Sequence, residues 1–367
     1  MRDLVFLCDW LPPEFGAVGQ YALQDAQARA REGADVVLYG LTSGAAAVED
    51  VAEGKGRLRI VRLHAPAYDR ASLRERAWWT LKTNLALVRQ ALPEMRRARE
   101  IMLTGAPPFL LHVVAPLNLL LRRPLTYRIT DFFPESLIAE AGRTPWYLGA
   151  LQRLTRFWRR RVDRIEVLGE DASRRLLAEG LPAGRIVLRR DVSPVRVGPD
   201  TLPLARPAAL EGRRILLYSG NFGVAHEHET FLEGYRRHHR QGSGRVALWL
   251  NATGARADVL ERALAAERLP FHRTRPVPLD ALASLLATPD AHLVTLRDAF
   301  WGYVLPSKIY GCIDSGKPIL YIGPEESDVH RLGSSKVSPG WYQRVAPGDP
   351  AGVAAALERL AAGASGV

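Results

Sequence analysis

Short apolar runs alternate with longer amphipathic segments through the first half of the chain. Runs of three to six apolar residues predict buried strands, and apolar positions repeated every three or four residues predict helices. The predicted strands are 5–7, 36–39, 58–63, 101–103, 126–129, 164–168 and 185–188. The first predicted helix follows the loop 11–19 and ends at Arg31. The others span about 70–99, 108–121, 147–162 and 170–179. This alternation indicates an α/β class with a parallel sheet covered on both faces.

The second half repeats the pattern after an interruption. Residues 191–212 are rich in proline and lack either period. Strands are then predicted at 214–218, 246–250, 291–295 and 318–322, with helices at 229–240, 257–267, 279–287, 307–315 and 350–362. We therefore expect an N-terminal Rossmann-like domain over 1–195, a linker over 196–212 and a C-terminal Rossmann-like domain over 213–367. Two such doubly wound domains would face a central cleft at the carboxyl ends of their strands.

Composition narrows the class of protein. The 367 residues are 47% hydrophobic and 24% charged, which suits two globular domains and excludes disorder as the main state. The longest apolar stretch, 109–121, is shorter than the roughly 20 residues that span a bilayer. The first residues include Asp3 and do not resemble a signal peptide, and Cys8 and Cys312 are too few for a disulfide framework. These features favour a cytoplasmic protein.

The chain is strongly basic, with 50 Lys and Arg against 39 Asp and Glu and a net charge of +11. Such a surface attracts phosphates, nucleic acids or anionic lipids. Only five of the basic residues are lysines, so arginine excess from a GC-rich genome is an equally good explanation. Because no nucleic-acid-reading module is present, nucleic acid is not an expected partner.

A phosphate site is predicted at the start of the helix 307–315. Ser307 follows Pro306 as a plausible N-cap, the helix start offers free N–H groups, and Lys308 adds a full charge. Gly316 would end the helix before the next strand. The alternative is an ordinary loop and helix with one solvated lysine.

Glycine-containing turns provide further candidates for donor binding. The first strand of the second domain runs into Ser219, Gly220, Asn221, Phe222 and Gly223. Glycine after a strand lets the backbone approach a ligand, although a tight turn needs glycine in any case. In the first domain, Gly16 and Gly19 belong to a similar loop after the first strand.

Two carboxylates and a histidine are candidates in the first domain. Asp131 and Glu135 follow a strand, where either could bind or deprotonate an acceptor, or else cap a turn and lie on a solvated helix start. His112 follows an apolar run and is a candidate catalytic residue or a buried core histidine. The histidines of the second domain lack partners at metal-ligand spacing, so no metal site is expected.

Two segments mix arginine with tryptophan at helical spacing, 74–81 and 151–161. This composition is typical of helices lying at a membrane interface and indicates an anionic membrane surface as a partner. The alternative is that Phe157 and Trp158 pack inward while the arginines are solvated.

Several motifs together resemble one enzyme family. They are Pro12-Pro13-Glu14-Phe15-Gly16, Thr104-Gly105-Ala106-Pro107-Pro108, the segment from Arg128 to Ser136, Tyr218 to Gly223, Val304 to Tyr310, and Ser315-Gly316-Lys317-Pro318. In order and spacing they resemble the retaining GT-B glycosyltransferases of family four, in the bacterial cell-surface polysaccharide branch.

The resemblance implies a GT-B fold and a function. A nucleoside diphosphate sugar would be the donor, held mainly by the C-terminal domain, and a sugar, lipid-linked or small-molecule acceptor would meet the N-terminal domain. Neither a metal nor a further cofactor is implied, nor is a protein nucleophile. Lys308 would stabilise the departing diphosphate, and His112 would contact the donor sugar.

Two positions depart from the family pattern. The family commonly carries two glutamates seven residues apart, and the matching positions here are Tyr303 and Gly311. The second glutamate usually binds the ribose hydroxyls, which glycine cannot do. These two positions and the +11 charge suggest a non-catalytic binding protein with a degenerate donor site as one alternative to a transferase. A sugar-nucleotide 2-epimerase, which shares the fold and the donor, is the other alternative.

Overall fold

The computed structural model describes residues 2–14, 16–66 and 73–363. The chain divides into two compact units, Met1–Arg190 and Asp191–Val367. Residues of the segment 196–212 therefore belong to the second unit. Leu210 in this segment is buried and packs with Ile215 and Leu217 of the second sheet.

The first unit holds an eight-stranded sheet in the order β3-β4-β2-β1-β5-β6-β7-β8. Its strands are β1 Leu4–Trp10, β2 Asp35–Thr42, β3 Ala47–Glu53, β4 Gly56–His64, β5 Glu100–Thr104, β6 Leu125–Ile129, β7 Arg164–Val167 and β8 Ile186–Leu188. Only the β3–β4 pair of these strands is antiparallel. The helices described are α1 Ala17–Arg31, α2 Leu73–Met95, α3 Leu111–Leu121, α4 Glu135–Ala141, α5 Trp146–Arg159 and α6 Glu170–Ala178.

Small residues allow α1 to pack closely on the first sheet. Ala22, Ala26 and Ala30 repeat at helical spacing and face a buried cluster that includes Phe6 of β1. Gly19 continues this stripe, and a Cβ atom built on it would lie 1.7 Å from the Trp10 carbonyl oxygen. Because α1 begins at Ala17, Gly19 lies inside the helix, and the prediction that it belongs to a loop is wrong.

The second unit holds a parallel six-stranded sheet in the order β11-β10-β9-β12-β13-β14. Its strands are β9 Arg214–Asn221, β10 Val246–Thr253, β11 Phe271–Thr274, β12 Ala291–Thr295, β13 Ile319–Ile322 and β14 Tyr342–Val345. Its helices are α7 Glu229–Gln241, α8 Ala255–Ala266, α9 Leu279–Ala287, α10 Lys308–Asp314, α11 Asp328–Lys336 and α12 Pro350–Ala361. Buried side chains of β9 and β10 form the centre of its core with α7, α8 and α12.

The predicted α/β class with two parallel-sheet units is confirmed. The prediction missed β3, β11, β14, α4 and α11, whose sequences are short or largely polar. The predicted helix 70–99 is shorter, Leu73–Met95, and residues 70–72 lie outside the described ranges. Within those ranges, no helix combines the length and apolar character needed to cross a bilayer.

Candidate functional site

In the second unit, the end of β9 and the start of α10 bring Lys308 against Tyr218. The Lys308 ammonium donates a hydrogen bond to the Tyr218 hydroxyl and lies 3.9 Å from the centre of that ring. The hydroxyl in turn donates to the Asn221 carbonyl oxygen at 3.0 Å. Since Tyr218 is fully buried and stacked on Phe222 at 4.1 Å, it is a rigid support for the lysine.

Gly220 lies beside the Lys308 side chain. Its φ of +109° is unfavourable for residues with a side chain, and a Cβ atom there would lie 3.7 Å from Cε of Lys308. The turn that begins at Gly220 and the Lys308 side chain are therefore neighbours.

The environment of Lys308 makes its protonation state sensitive to pH and to a bound anion. Burial lowers the pKa of this half-buried ammonium to about 7, and the Cys312 thiol opposes the shift. A bound anion would stabilise the protonated form and raise the pKa again. The lysine is thus suited to become fully charged when an anion arrives.

The other predicted residues near Lys308 make different contacts. Ser307 stands at the N-cap position of α10, as predicted, but its side chain accepts no hydrogen bond from an N–H of that helix. Pro306 is buried, and the φ of +62° at Gly316 is consistent with the predicted helix end. On the other side of the turn, the Ser219 hydroxyl donates to Asn251 at 3.5 Å.

His226 lies beside this turn, and the sequence analysis considered it only as a member of a histidine group that lacked metal-ligand spacing. Its Nδ1 lies 2.8 Å from the Thr295 carbonyl oxygen, and its ring meets Tyr218 edge-on at 5.7 Å. Burial and the charge of Lys308 lower its pKa well below the usual value. His238 is bound elsewhere, to Glu358 and Val246, and no group of three metal-ligand side chains occurs among the residues described.

A cavity of about 370 Å³ opens at the carboxyl ends of β10 and β11. It is lined by Ala252, Thr253, Gly254, Asp258, Arg273, Thr274 and Arg275. Gly254, with φ +108°, brings this wall against the β9 turn, because its Cβ would lie 2.5 Å from Oδ1 of Asn221. Arg273 is neutralised by Asp258 and Glu261 at 3.1 and 3.2 Å. The cavity thus adjoins the turn that supports Lys308.

The two positions that depart from the family pattern lie near α10. Gly311 is buried in that helix, and a Cβ atom on it would lie 2.9 Å from a methyl group of Leu286 and 3.6 Å from the Ser193 hydroxyl. Tyr303 is half-buried in the preceding loop. The space beside Gly311 is already occupied by neighbouring side chains.

In the first unit, Asp9 and Asp131 lie at the carboxyl ends of β1 and β6. Burial raises the pKa of both half-buried carboxyl groups to about 6, and the charge of Asp131 contributes to the shift at Asp9. Gly105 follows the strand between them and touches the Asp131 backbone, because its Cβ would lie 2.8 Å from that carbonyl oxygen. Asp131 thus has a raised pKa at the edge of the sheet where it was predicted. Asp9 was missed because it lies inside an apolar strand.

Glu135 has a structural environment that differs from the prediction. It is 1% exposed, and its two carboxylate oxygens accept hydrogen bonds of 2.7 and 3.0 Å from Arg159, which is 0% exposed. Arg159 also donates to the Phe133 carbonyl at 3.3 Å. Because this ion pair occupies the carboxylate, the assignment of Glu135 to acceptor binding is corrected to a structural role.

His112 lies in the first turn of α3 and is half-buried. Its Nε2 is 3.0 Å from the Thr155 hydroxyl of α5, while Nδ1 is buried with no hydrogen-bond partner. Burial lowers the pKa of His112, so its neutral form is favoured. Nothing in this arrangement joins His112 to Asp131 through a hydrogen bond.

Three neighbouring helices of the first unit expose large apolar side chains, with α3 packed between α2 and α5. They are Trp78, Leu81, Leu85, Leu119, Leu120, Trp146, Tyr147, Leu154 and Phe157. Trp146 is 85% exposed and Leu120 81%. Phe157 is exposed rather than packed inward, whereas Trp158 is half-buried.

Comparison with known proteins identifies the architecture. No family model matches the chain. The chain is 26% identical over 284 residues to the probable glycosyltransferase WbjE of Pseudomonas aeruginosa, a match that covers 73% of this chain and 68% of that protein.

Solved structures resemble it over nearly its whole length. Sucrose-phosphate synthase of Thermosynechococcus elongatus gives a TM-score of 0.69 at 14% identity, covering 98% of this chain and 90% of that one. Anabaena HepE in complex with UDP and glucose gives 0.63 at 12% identity, covering 97% and 89%. The Burkholderia vietnamiensis trehalose-phosphate synthase gives 0.62 at 16% identity, covering 97% and 91%. The resemblance to GT-B glycosyltransferases is confirmed, and the fold is GT-B.

Proposed function

We propose that this GT-B chain is a retaining, metal-independent glycosyltransferase that moves a sugar from a nucleoside diphosphate sugar to an acceptor in glycan or glycoconjugate synthesis. The observation that carries the proposal is Lys308, held on the buried Tyr218 beside the Gly220 turn. The similarity to WbjE and to UDP-binding HepE supports the same class of activity.

The proposed chemistry uses both units. The diphosphate lies at the Gly220–Gly223 turn, where backbone N–H groups and Lys308 stabilise the negative charge that develops as the glycosyl bond breaks. The cavity beside β10 and β11 is the proposed place of the nucleoside. Asp131 orients the acceptor hydroxyl and accepts its proton. Gly16 and Gly19 remain proposed donor contacts, although Gly19 also serves packing.

Thermal stabilisation by a panel of UDP, GDP, ADP, CMP and dTDP tests donor binding, because a ligand of the folded state raises the melting temperature. A transferase then releases the nucleoside diphosphate only when an acceptor is present. A 2-epimerase interconverts the sugar without an acceptor. A non-catalytic protein does neither. Glycine at position 311, where the family commonly carries a glutamate, favours this alternative.

We also propose that the first unit binds an anionic membrane on the cytoplasmic side. This unit has 30 Lys and Arg against 21 Asp and Glu, a net +9, whereas the second has 20 against 18, a net +2. The exposed apolar side chains of α2, α3 and α5 lie in the more basic unit. Together they have the composition of a surface that enters a lipid headgroup region.

Vesicle sedimentation tests this partner. The protein should bind vesicles containing phosphatidylglycerol, bind pure phosphatidylcholine less, and dissociate as salt is added. The double variant Trp146→Ser/Leu120→Ser should lose most of the binding. Leu202→Ser, which removes an 80% exposed leucine of the second unit, is the matched control. Equal binding to both kinds of vesicle would contradict a charge-dependent surface.

A further inference from the structure

In the His226 ring, Nδ1 takes part in a hydrogen bond, whereas Nε2 takes part in none within the residues described. The Thr295 carbonyl, 2.8 Å from Nδ1, can only accept, so Nδ1 carries a proton in this arrangement. The neutral ring therefore has its lone pair on Nε2. No hydrogen bond to Nε2 occurs within the residues described.

The ring is also held in a fixed orientation. Tyr218 and Phe222 meet it edge-on at 5.7 and 5.6 Å. The preceding residues are tied down by Arg297, whose backbone N–H donates to Ala225 at 2.8 Å and whose guanidinium donates to Val224 at 3.1 Å. A side chain held this way loses little freedom when it binds a ligand.

We propose that His226 is a second ligand of the donor diphosphate, with Nε2 binding one phosphate oxygen while the Lys308 ammonium binds another. The two side chains lie against the same phenol of Tyr218. Lys308 lies next to Gly220, and the His226 backbone N–H donates to the Gly223 carbonyl oxygen at 3.1 Å, so both residues adjoin the turn. This inference rests on the proposed function, because it assumes that a diphosphate occupies the turn.

Binding of this kind requires a proton. An unprotonated Nε2 would repel a phosphate oxygen, so the imidazole must become imidazolium and donate N–H, taking the proton from the buffer. The ionisable groups facing it are Lys308 of α10 and the phenol of Tyr218, with the Cys312 thiol near the lysine. Burial raises the pKa of the phenol and the thiol, so both are neutral, and the Lys308 charge opposes protonation of His226 in the empty site.

Isothermal titration calorimetry with UDP and with inorganic pyrophosphate measures this proton directly. Titrations at pH 7.5 in two buffers of different ionisation enthalpy give the number of protons taken up per ligand. Lys308 contributes to the uptake in every variant that retains it. The wild type should take up about one proton more than a variant lacking the imidazole.

Two substitutions separate binding from packing. His226→Asn places an amide near Nδ1, retains a donor for Thr295 and removes Nε2, so it should weaken UDP binding about tenfold to a hundredfold. His226→Gln places a neutral N–H donor near Nε2, so it should lose less affinity but also lose the extra proton. His330→Gln, in a half-buried histidine bonded to Tyr342 at 3.1 Å, is the control and should change neither quantity.

The outcomes distinguish this inference from the function on which it rests. If the wild type binds and His226→Asn binds equally well with the same proton uptake, His226 is not a ligand although the donor site stands. If neither UDP nor pyrophosphate nor any other diphosphate of the panel binds the wild type, the donor site itself is wrong. Circular dichroism and melting temperature confirm that each variant is folded.

Discussion

The side chains at the carboxyl ends of the strands differ between the two sheets. At the carboxyl edge of the second sheet, a lysine, a histidine and a glycine turn surround a buried phenol. At the corresponding edge of the first sheet, Asp9 and Asp131 are carboxyl groups whose pKa values burial has raised. The second edge thus carries groups that suit anions, and the first carries carboxyl groups whose raised pKa values suit proton transfer. The proposal of a donor site and an acceptor site on separate units rests on this difference.

Within the first unit, two acids four residues apart show how strongly environment decides a role. Asp131 makes no ion pair in the part of the chain described, whereas Glu135 is buried against Arg159 at 2.7 Å. Removing charge from the first should affect chemistry, and removing it from the second should affect folding. The following predictions test this division.

The largest expected effect comes from removing the charge of Lys308 in the second unit. Lys308→Ala should lower turnover by roughly 10² or more, since it removes the charge that stabilises the leaving diphosphate. Initial rates at saturating donor, with release of the nucleoside diphosphate as the signal, measure the change. Lys317→Ala, nine residues along, is the matched control; an equal loss there would show a general effect of charge.

Breaking the buried ion pair comes next. Glu135→Gln leaves the buried Arg159 with the more distant Glu179, at 3.5 Å, as its carboxylate partner among the described residues, and should cost about 3 kcal/mol of unfolding free energy. Denaturant titration followed by circular dichroism measures it, with the exposed Glu140→Gln as control. A stable Glu135→Gln protein with low activity would instead return Glu135 to the acceptor site.

Asp131→Asn should have the opposite pattern. Turnover should fall about tenfold to a hundredfold as the base is removed. The melting temperature at pH 7.5 should rise by a few degrees: the folded-state pKa lies above the unfolded value, so stability conferred by the protonated carboxyl is lost as pH rises through about 6. Loss of stability together with activity would indicate a structural carboxylate.

The smallest effects appear in the pH profile. Wild-type kcat/KM should rise through about pH 6 as Asp131 ionises. The ratio of wild-type to Lys308→Arg kcat/KM should fall as pH rises through about 7, because the lysine loses its proton there and arginine does not. A ratio that is constant with pH would mean that Lys308 is charged throughout.

Local pattern was sufficient for much of the fold and insufficient for the site. Buried strands such as β1 and β10 announce themselves by continuous apolar runs, whereas β3, β11 and β14 are short or polar and were missed. Contacts between residues that are far apart in the chain cannot be predicted from the local sequence pattern. Tyr218 and Lys308 are 90 residues apart, and Glu135 meets Arg159 24 residues later. Roles that depend on such partners needed the structure.

Gly16 and Gly19 look alike in the sequence but would separate in a saturation-mutagenesis experiment. Gly16 has an extended φ of 179° and open space around its Cβ position, so most substitutions there should survive selection for folded protein. At Gly19 even alanine would meet the Trp10 carbonyl oxygen at 1.7 Å. A library that diversifies the loop before α1 to change substrate preference should vary Gly16 and keep Gly19, which lies inside the helix.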